Sequence, residues 1–183
     1  MTAATDGPAT GTRLVVVGLG ELHVSADPHC TLVTYALGSC LGVVVHDAKA
    51  GVGGILHAMM PRSAIDPVKA QAHPAMFVDT GVPALFRACY AMGARKDRLR
   101  VRLVGAASIH GQETDAFQIG SRNLHMARQL FLKNNVPIHG EDVGGTTWRN
   151  LTLAIGTGAV VIGQSIRSRT PAPPQHGQEK GSR

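Results

Sequence analysis

The chain has 183 residues, 44% of them hydrophobic, and carries a formal net charge of +6. That is enough apolar material for one core and too little length for two sizeable domains. One tryptophan, two tyrosines and four phenylalanines are too few for a base-stacking platform, so nucleic acid is not expected as a ligand and the basic balance points to an acidic partner surface.

At the N-terminus, MTAATDGPATGTR lacks the apolar middle of a signal peptide, and no later run approaches the ~20 apolar residues of a membrane helix. No membrane insertion is expected, and the expected location is the cytoplasm. Residues 1–11 and 168–183 are rich in Pro, Gly, Ser, Thr and charge and offer too little apolar surface to offset the entropy of ordering. They read as disordered tails around a single domain, 12–167.

Within that body, RLVVVGLGELHVS and TLVTYAL have strand character and lead into a turn at Gly38-Ser39-Cys40. LGVVVHD and GVGGILHAMM follow as two strand-like runs around a short polar piece, which predicts a hairpin. Between Ala75 and Met92 the apolar residues Phe77, Val78, Val82, Leu85, Phe86, Cys89 and Met92 keep a helical period. Gly93 is placed to end that helix, and Pro83 predicts a kink or restart inside it. LRVRLVGAA is a strand; Leu124, Ala127, Leu130 and Phe131 mark a second helix ending near Asn134-Asn135. VPIHGEDVGG, NLTLAI and AVVIGQSI, the last two joined at Gly156-Thr157-Gly158, complete the chain as strands closed by a terminal hairpin. Seven or eight short strands and two helices make an α+β body with mostly antiparallel pairing.

The chemistry gathers around Cys40. Asp47 to Ala50 is the least apolar part of the hairpin, so the turn is expected near Ala48-Lys49 and position 40 falls opposite position 57. Cross-strand neighbours have Cβ atoms about 4.5–5.5 Å apart, within reach of a proton shared by a thiol and an imidazole. Only the thiolate is a good nucleophile, and His57 could take the proton and later return it to a leaving group. Gly38 and Ser39 sit where a tight turn could aim N–H groups at an oxyanion. A buried structural cysteine beside a hydrogen-bonded histidine fits the same spacing, and residue types alone leave both readings open.

Other candidates are weaker. His23, His29 and Cys30 lack zinc-site spacing, so no metal site is expected. The odd number of cysteines and the absence of CxxC point to reduced thiols rather than a disulfide framework. Cys89 lies on a helix's apolar stripe, Gly18-Leu19-Gly20 falls short of a dinucleotide fingerprint, and His46 lies too near the hairpin turn to serve Cys40. RKDRLRVR, residues 95–102, places Arg98, Arg100 and Arg102 on one face of an expected strand, either as a solvated face or as a docking surface.

The stretches TYALGSCLGVVVHD, GGILHAMMP, FVDTGVPALF, MGARKDRL, IGSRN and EDVGG followed by Arg149 occur in the order in which they recur in the CheD family of chemoreceptor glutamine deamidases. The chain resembles that family from about Val15 to Ile166. The resemblance implies a layered α-β-β-α sandwich, a nucleophilic cysteine at Cys40, its histidine at His57, a third catalytic residue at Thr34, and no cofactor. It further implies methyl-accepting chemoreceptor cytoplasmic domains as partners, and a CheC-like phosphatase as a further one. Because receptor methylation regions are acidic, Arg98, Arg100 and Arg102 become docking candidates. An adaptor without catalysis and a glutamyl methylesterase using the same thiol are the competing readings. The chain departs from the family at Ala106-Ala107 and Ile109, where glycines and a methionine are usual, and at Trp148, where smaller residues are usual.

Overall fold

The computed structural model describes residues 11–108 and 118–165. In chain order the strands are β1 (Arg13–Val16), β2 (Leu22–Ser25), β3 (Cys30–Leu37), β4 (Leu41–Asp47), β5 (Val52–Ala58), β6 (Arg100–Gly105), β7 (Ile138–Val143), β8 (Trp148–Ala154) and β9 (Val160–Ser165). The helices are α1 (Pro67–Ala72), α2 (Val78–Ala91) and α3 (Ile119–Lys133). The strands form two sheets, β1-β3-β8-β9 and β2-β5-β4-β6-β7. β1–β3 and β6–β7 run parallel and every other pair is antiparallel, so the expected α+β sandwich with mostly antiparallel strands holds. Among the described residues both long helices cover the five-stranded sheet and none covers the outer face of the four-stranded one.

The valine run of β4 explains the layering. Val43 and Val45 face a core shared with α2 and α3, whereas Val44 faces a second core between the sheets with Leu32, Ile55, Leu151 and Leu153. A central strand buried on both faces reads as a continuous apolar run rather than an alternation. α2 buries Val78, Val82, Leu85, Phe86 and Cys89, the expected stripe, and stops where Gly93 adopts a φ of +94° and Ala94 N–H donates to the Cys89 carbonyl. Pro83 lies within this helix, which does not restart there. The stretch RLVVVGLGELHVS divides at a turn after Val17, giving β1 to one sheet and β2 to the other.

The hairpin departs from its expected register. His57 pairs with Gly42 and Asp47 with Val52, so position 57 lies opposite 42 rather than 40. The cause is Asp47, whose Oδ1 accepts the N–H groups of Lys49 and Ala50 and holds a four-residue turn centred one position later than expected. Because the slip is two residues, the inward face is unchanged. Asp47 also accepts from Arg95 N–H and from the Arg98 guanidinium at 2.9 Å. That corrects the placing of Arg98 on a strand face with Arg100 and Arg102: it lies in a 3-10 turn, Lys96–Arg98, ahead of β6, bound to a buried carboxylate.

The expected tails, apart from Gly11, lie outside the described residues, as does Ile109. Among the described residues no helix is long and apolar enough to cross a membrane.

Candidate active site

Thr34 and His57 are buried side by side between the sheets, at 0% and 1% exposure. Thr34 comes from β3 of one sheet and His57 from β5 of the other. The Thr34 hydroxyl lies 2.7 Å from the Val17 carbonyl and 2.7 Å from His57 Nδ1. A hydroxyl has one proton, and a carbonyl can only accept. The proton therefore goes to Val17, and His57 Nδ1–H donates to the Thr34 oxygen. This fixes the tautomer: in the neutral ring Nε2 carries the lone pair, and it is buried with no hydrogen-bond partner among the described residues. Burial lowers the histidine's pKa to about 4, so the ring is neutral at physiological pH. An aligned neutral imidazole with an open lone pair is a base.

Cys40 is half-buried at the mouth of β4 and packs against the inter-sheet core that holds Leu37, Leu151 and Leu153. Burial pushes its thiol pKa up, partly offset by its own N–H. The resting thiol is therefore protonated, and the shared proton that the expected register implied is not formed, since His57 Nε2 is unpartnered. Thiol and base stand at one end of the same layer as separate neutral groups.

The turn before the thiol is pinned at each carbonyl. Gly38 C=O accepts from Ala107 N–H and Cys40 C=O from Ala106 N–H, both at 2.7 Å. Ser39 C=O accepts from the Asn123 side chain at 3.1 Å. Gly38 N–H is spent on the Ala36 carbonyl, which removes it from the candidate oxyanion donors. Gly105, at a φ of +98°, lets β6 run past the turn; a Cβ there would come within 2.6 Å of the Cys40 carbonyl. Ala106 follows at a φ of +52°, a left-handed conformation that glycine would adopt without strain.

A second brace was visible in the sequence only as part of EDVGG and Arg149. Buried Arg149 donates to Asp142 at 2.8 Å and to the carbonyls of Gly144 and Thr147. It thereby shapes a loop whose Gly145 carbonyl accepts from Ser108 N–H. A cavity of about 350 Å³ between this loop and α3 is lined by Ala106, Ser108, Gln118, Ser121, Leu124, Gly144 and Gly145, next to the segment that holds the cysteine turn. Arg100 and Arg102 are exposed on β6. Cys30 and Cys89 are core residues, one in each layer, and His46 Nε2–H donates to the Ile155 carbonyl, away from Cys40.

Comparison with known proteins identifies the family. Residues 59–164 match the family model described as CheD chemotactic sensory transduction. The chain is 48% identical over 151 residues to a Syntrophus aciditrophicus protein named "Probable chemoreceptor glutamine deamidase CheD 1", covering 82% of this chain and 94% of that one. It is 38% identical over 165 residues to the CheD protein of Solibacter usitatus, covering 89% and 97%, and 35% identical over 160 residues to that of Pyrococcus abyssi, covering 85% and 96%. Similarity at this level across nearly the whole of each relative means that this chain belongs to the CheD family.

Proposed function

We propose that the protein is a chemoreceptor glutamine deamidase in which Cys40 is the nucleophile, His57 the general acid and base, and Thr34 the residue that orients the imidazole. The observation that carries this reading is the Thr34 hydroxyl, whose single proton is committed to Val17 and which therefore leaves His57 Nε2 as the acceptor. The names of the relatives supply the substrate class.

His57 Nε2 takes the thiol proton as sulfur attacks the side-chain carboxamide carbon, forming a C–S bond and a tetrahedral oxyanion. The N–H groups of Ser39 and Cys40 hold that charge, since Gly38 N–H is bonded to the Ala36 carbonyl. Collapse breaks the C–N bond, and the proton on Nε2 goes to the leaving nitrogen, which departs as ammonia. Water then gives a proton to Nε2 and its oxygen to the thioester carbon; C–S cleavage returns the proton to sulfur and leaves glutamate. One glutamine and one water become one glutamic acid and one ammonia, which at neutral pH exchange a proton to give glutamate and ammonium. The neutral resting pair suits this path, because thiol deprotonation is coupled to attack rather than completed beforehand.

Docking on an acidic receptor region is assigned to Arg100 and Arg102, which are exposed, rather than to Arg98, which Asp47 holds. The test is tryptic mapping of a chemoreceptor cytoplasmic fragment incubated with the protein or with Cys40→Ser. Replacing NH₂ by OH adds about 1 Da at each modified glutamine, and nucleophilic catalysis requires that the gain vanish with the thiol. A loss of about 14 Da only at methylated glutamates, as OCH₃ is replaced by OH, would favour the esterase reading, and binding without any mass change the adaptor reading.

A further inference from the structure

Asn123 is fully buried in the first half of α3, yet its side chain reaches two segments of the site at once. Its Nδ2 donates to the Ser39 carbonyl and to the Met59 carbonyl, each at 3.1 Å. The first belongs to the cysteine turn; the second lies two residues beyond His57. Two carbonyls can only accept, so the amide cannot be turned the other way, and Oδ1 is left buried without a partner among the described residues. An unpaired buried acceptor costs stability, which a purely structural core position would avoid with an apolar side chain. α3 is pressed against the site at the same level: a Cβ on Gly120 would come within 2.7 Å of the carbonyls of Ala106 and Ala107, the residues that pin Gly38 and Cys40.

No peptide bond of the described chain is cis. In a trans peptide the C=O and the following N–H point in opposite directions. Holding the Ser39 carbonyl toward Asn123 therefore aims the Cys40 N–H the other way, off the turn and beside the sulfur of the same residue. We infer that Asn123 is a positioning residue that orients the Cys40 N–H as an oxyanion donor and ties the cysteine turn to the strand carrying His57. This rests on the nucleophile reading of Cys40 and acts only through the Ser39–Cys40 peptide and Met59.

The test compares two reagents on the full chain and on Asn123→Ala, with the modified cysteine located by peptide mass. p-Nitrophenyl acetate acylates a thiol through an oxyanion, whereas iodoacetamide alkylates it by displacement at a saturated carbon and needs no oxyanion donor. Buried Cys30 and Cys89 serve as internal references for intact folding. Acylation of Cys40 should fall about 10²-fold in the variant, the scale of a lost or misplaced oxyanion donor, while alkylation stays within about 3-fold. Equal losses with both reagents, unchanged acylation, or no acylation of the parent chain would each overturn the inference. Asn123→Asp, of the same shape but with an acceptor facing both carbonyls, replaces the alanine variant if that one does not fold. A parent chain that is acylated in an Asn123-dependent way yet leaves receptor glutamines unchanged would uphold the positioning role and sink the glutamine substrate instead.

Discussion

A single hydroxyl proton decides what His57 can do. With it committed to Val17, Thr34 acts on the ring only as an acceptor, so Thr34→Ser should keep most of the activity. Thr34→Val, which leaves Nδ1–H unsatisfied and the tautomer unset, should lower kcat of glutamine deamidation about 10²-fold; equal rates for the two variants would remove Thr34 from the account. The buried imidazole also sets a pH signature. A histidine in the unfolded chain protonates near 6.5, whereas burial keeps His57 neutral until about 4. Between those values the unfolded chain binds a proton that the native one does not, so this contribution to stability is full above 6.5 and declines as pH falls toward 4. Urea midpoints measured across that window should fall with pH in the parent chain and less so in His57→Gln. Cys40 and His57 stood out in the sequence by residue type and spacing. Thr34 entered only through the family resemblance, since its contacts reach residues 17 and 23 positions away in a packing that spacing cannot convey.

At the scale of elements, the β4–β5 hairpin was legible and its register was not. Apolar runs located both strands, but the turn was centred by the polarity of 47–50, whereas the fold centres it by the carboxylate of Asp47 accepting two N–H groups. An aspartate opening a turn is a local signal, and it would have given the observed pairing. The same carboxylate is fully buried and paired with Arg98; burial pushes its pKa up, but the Arg98 guanidinium and the backbone N–H groups outweigh that and hold it down to about 2. Asp47→Ala should destabilise the fold by about 3 kcal/mol, the cost of breaking a buried pair, read as a lower urea midpoint at constant m; a loss within experimental error would show that the turn holds itself. Two residues at the end of β6 should respond in opposite senses. Gly105→Ala drives a methyl into the Cys40 carbonyl and forces an unfavourable φ, costing about 2 kcal/mol or more. Ala106→Gly relieves a left-handed alanine and should leave stability unchanged or raise it by up to about 1 kcal/mol after the added freedom of the unfolded chain. Thermal melts of the two variants check the sign of each.

For the molecule as described, two stacked sheets with the long helices on one side place the candidate site at the end of the layer between the sheets, where β3 supplies Thr34, β5 supplies His57 and the β3–β4 turn supplies Cys40. Strand and helix counts identified an α+β body, but not which strands share a sheet: the split of 13–25 between two sheets depends on distant pairing that no local pattern encodes. The net charge of +6 likewise suggested an acidic partner without showing that Arg98 is occupied internally. Arg100→Glu with Arg102→Glu should weaken binding to an acidic receptor fragment, with the difference shrinking as salt rises, whereas unchanged binding would move the docking surface elsewhere. The central claim is hydrolysis of a glutamine side chain through the Cys40 thiol, and reaction in ¹⁸O-labelled water tests it most directly. If water resolves a thioester, receptor peptides should gain about 3 Da at defined glutamines with the parent chain and nothing with Cys40→Ser. Labelled glutamate formed equally by the serine variant, or no labelled glutamate with a receptor fragment that the protein binds, would contradict it.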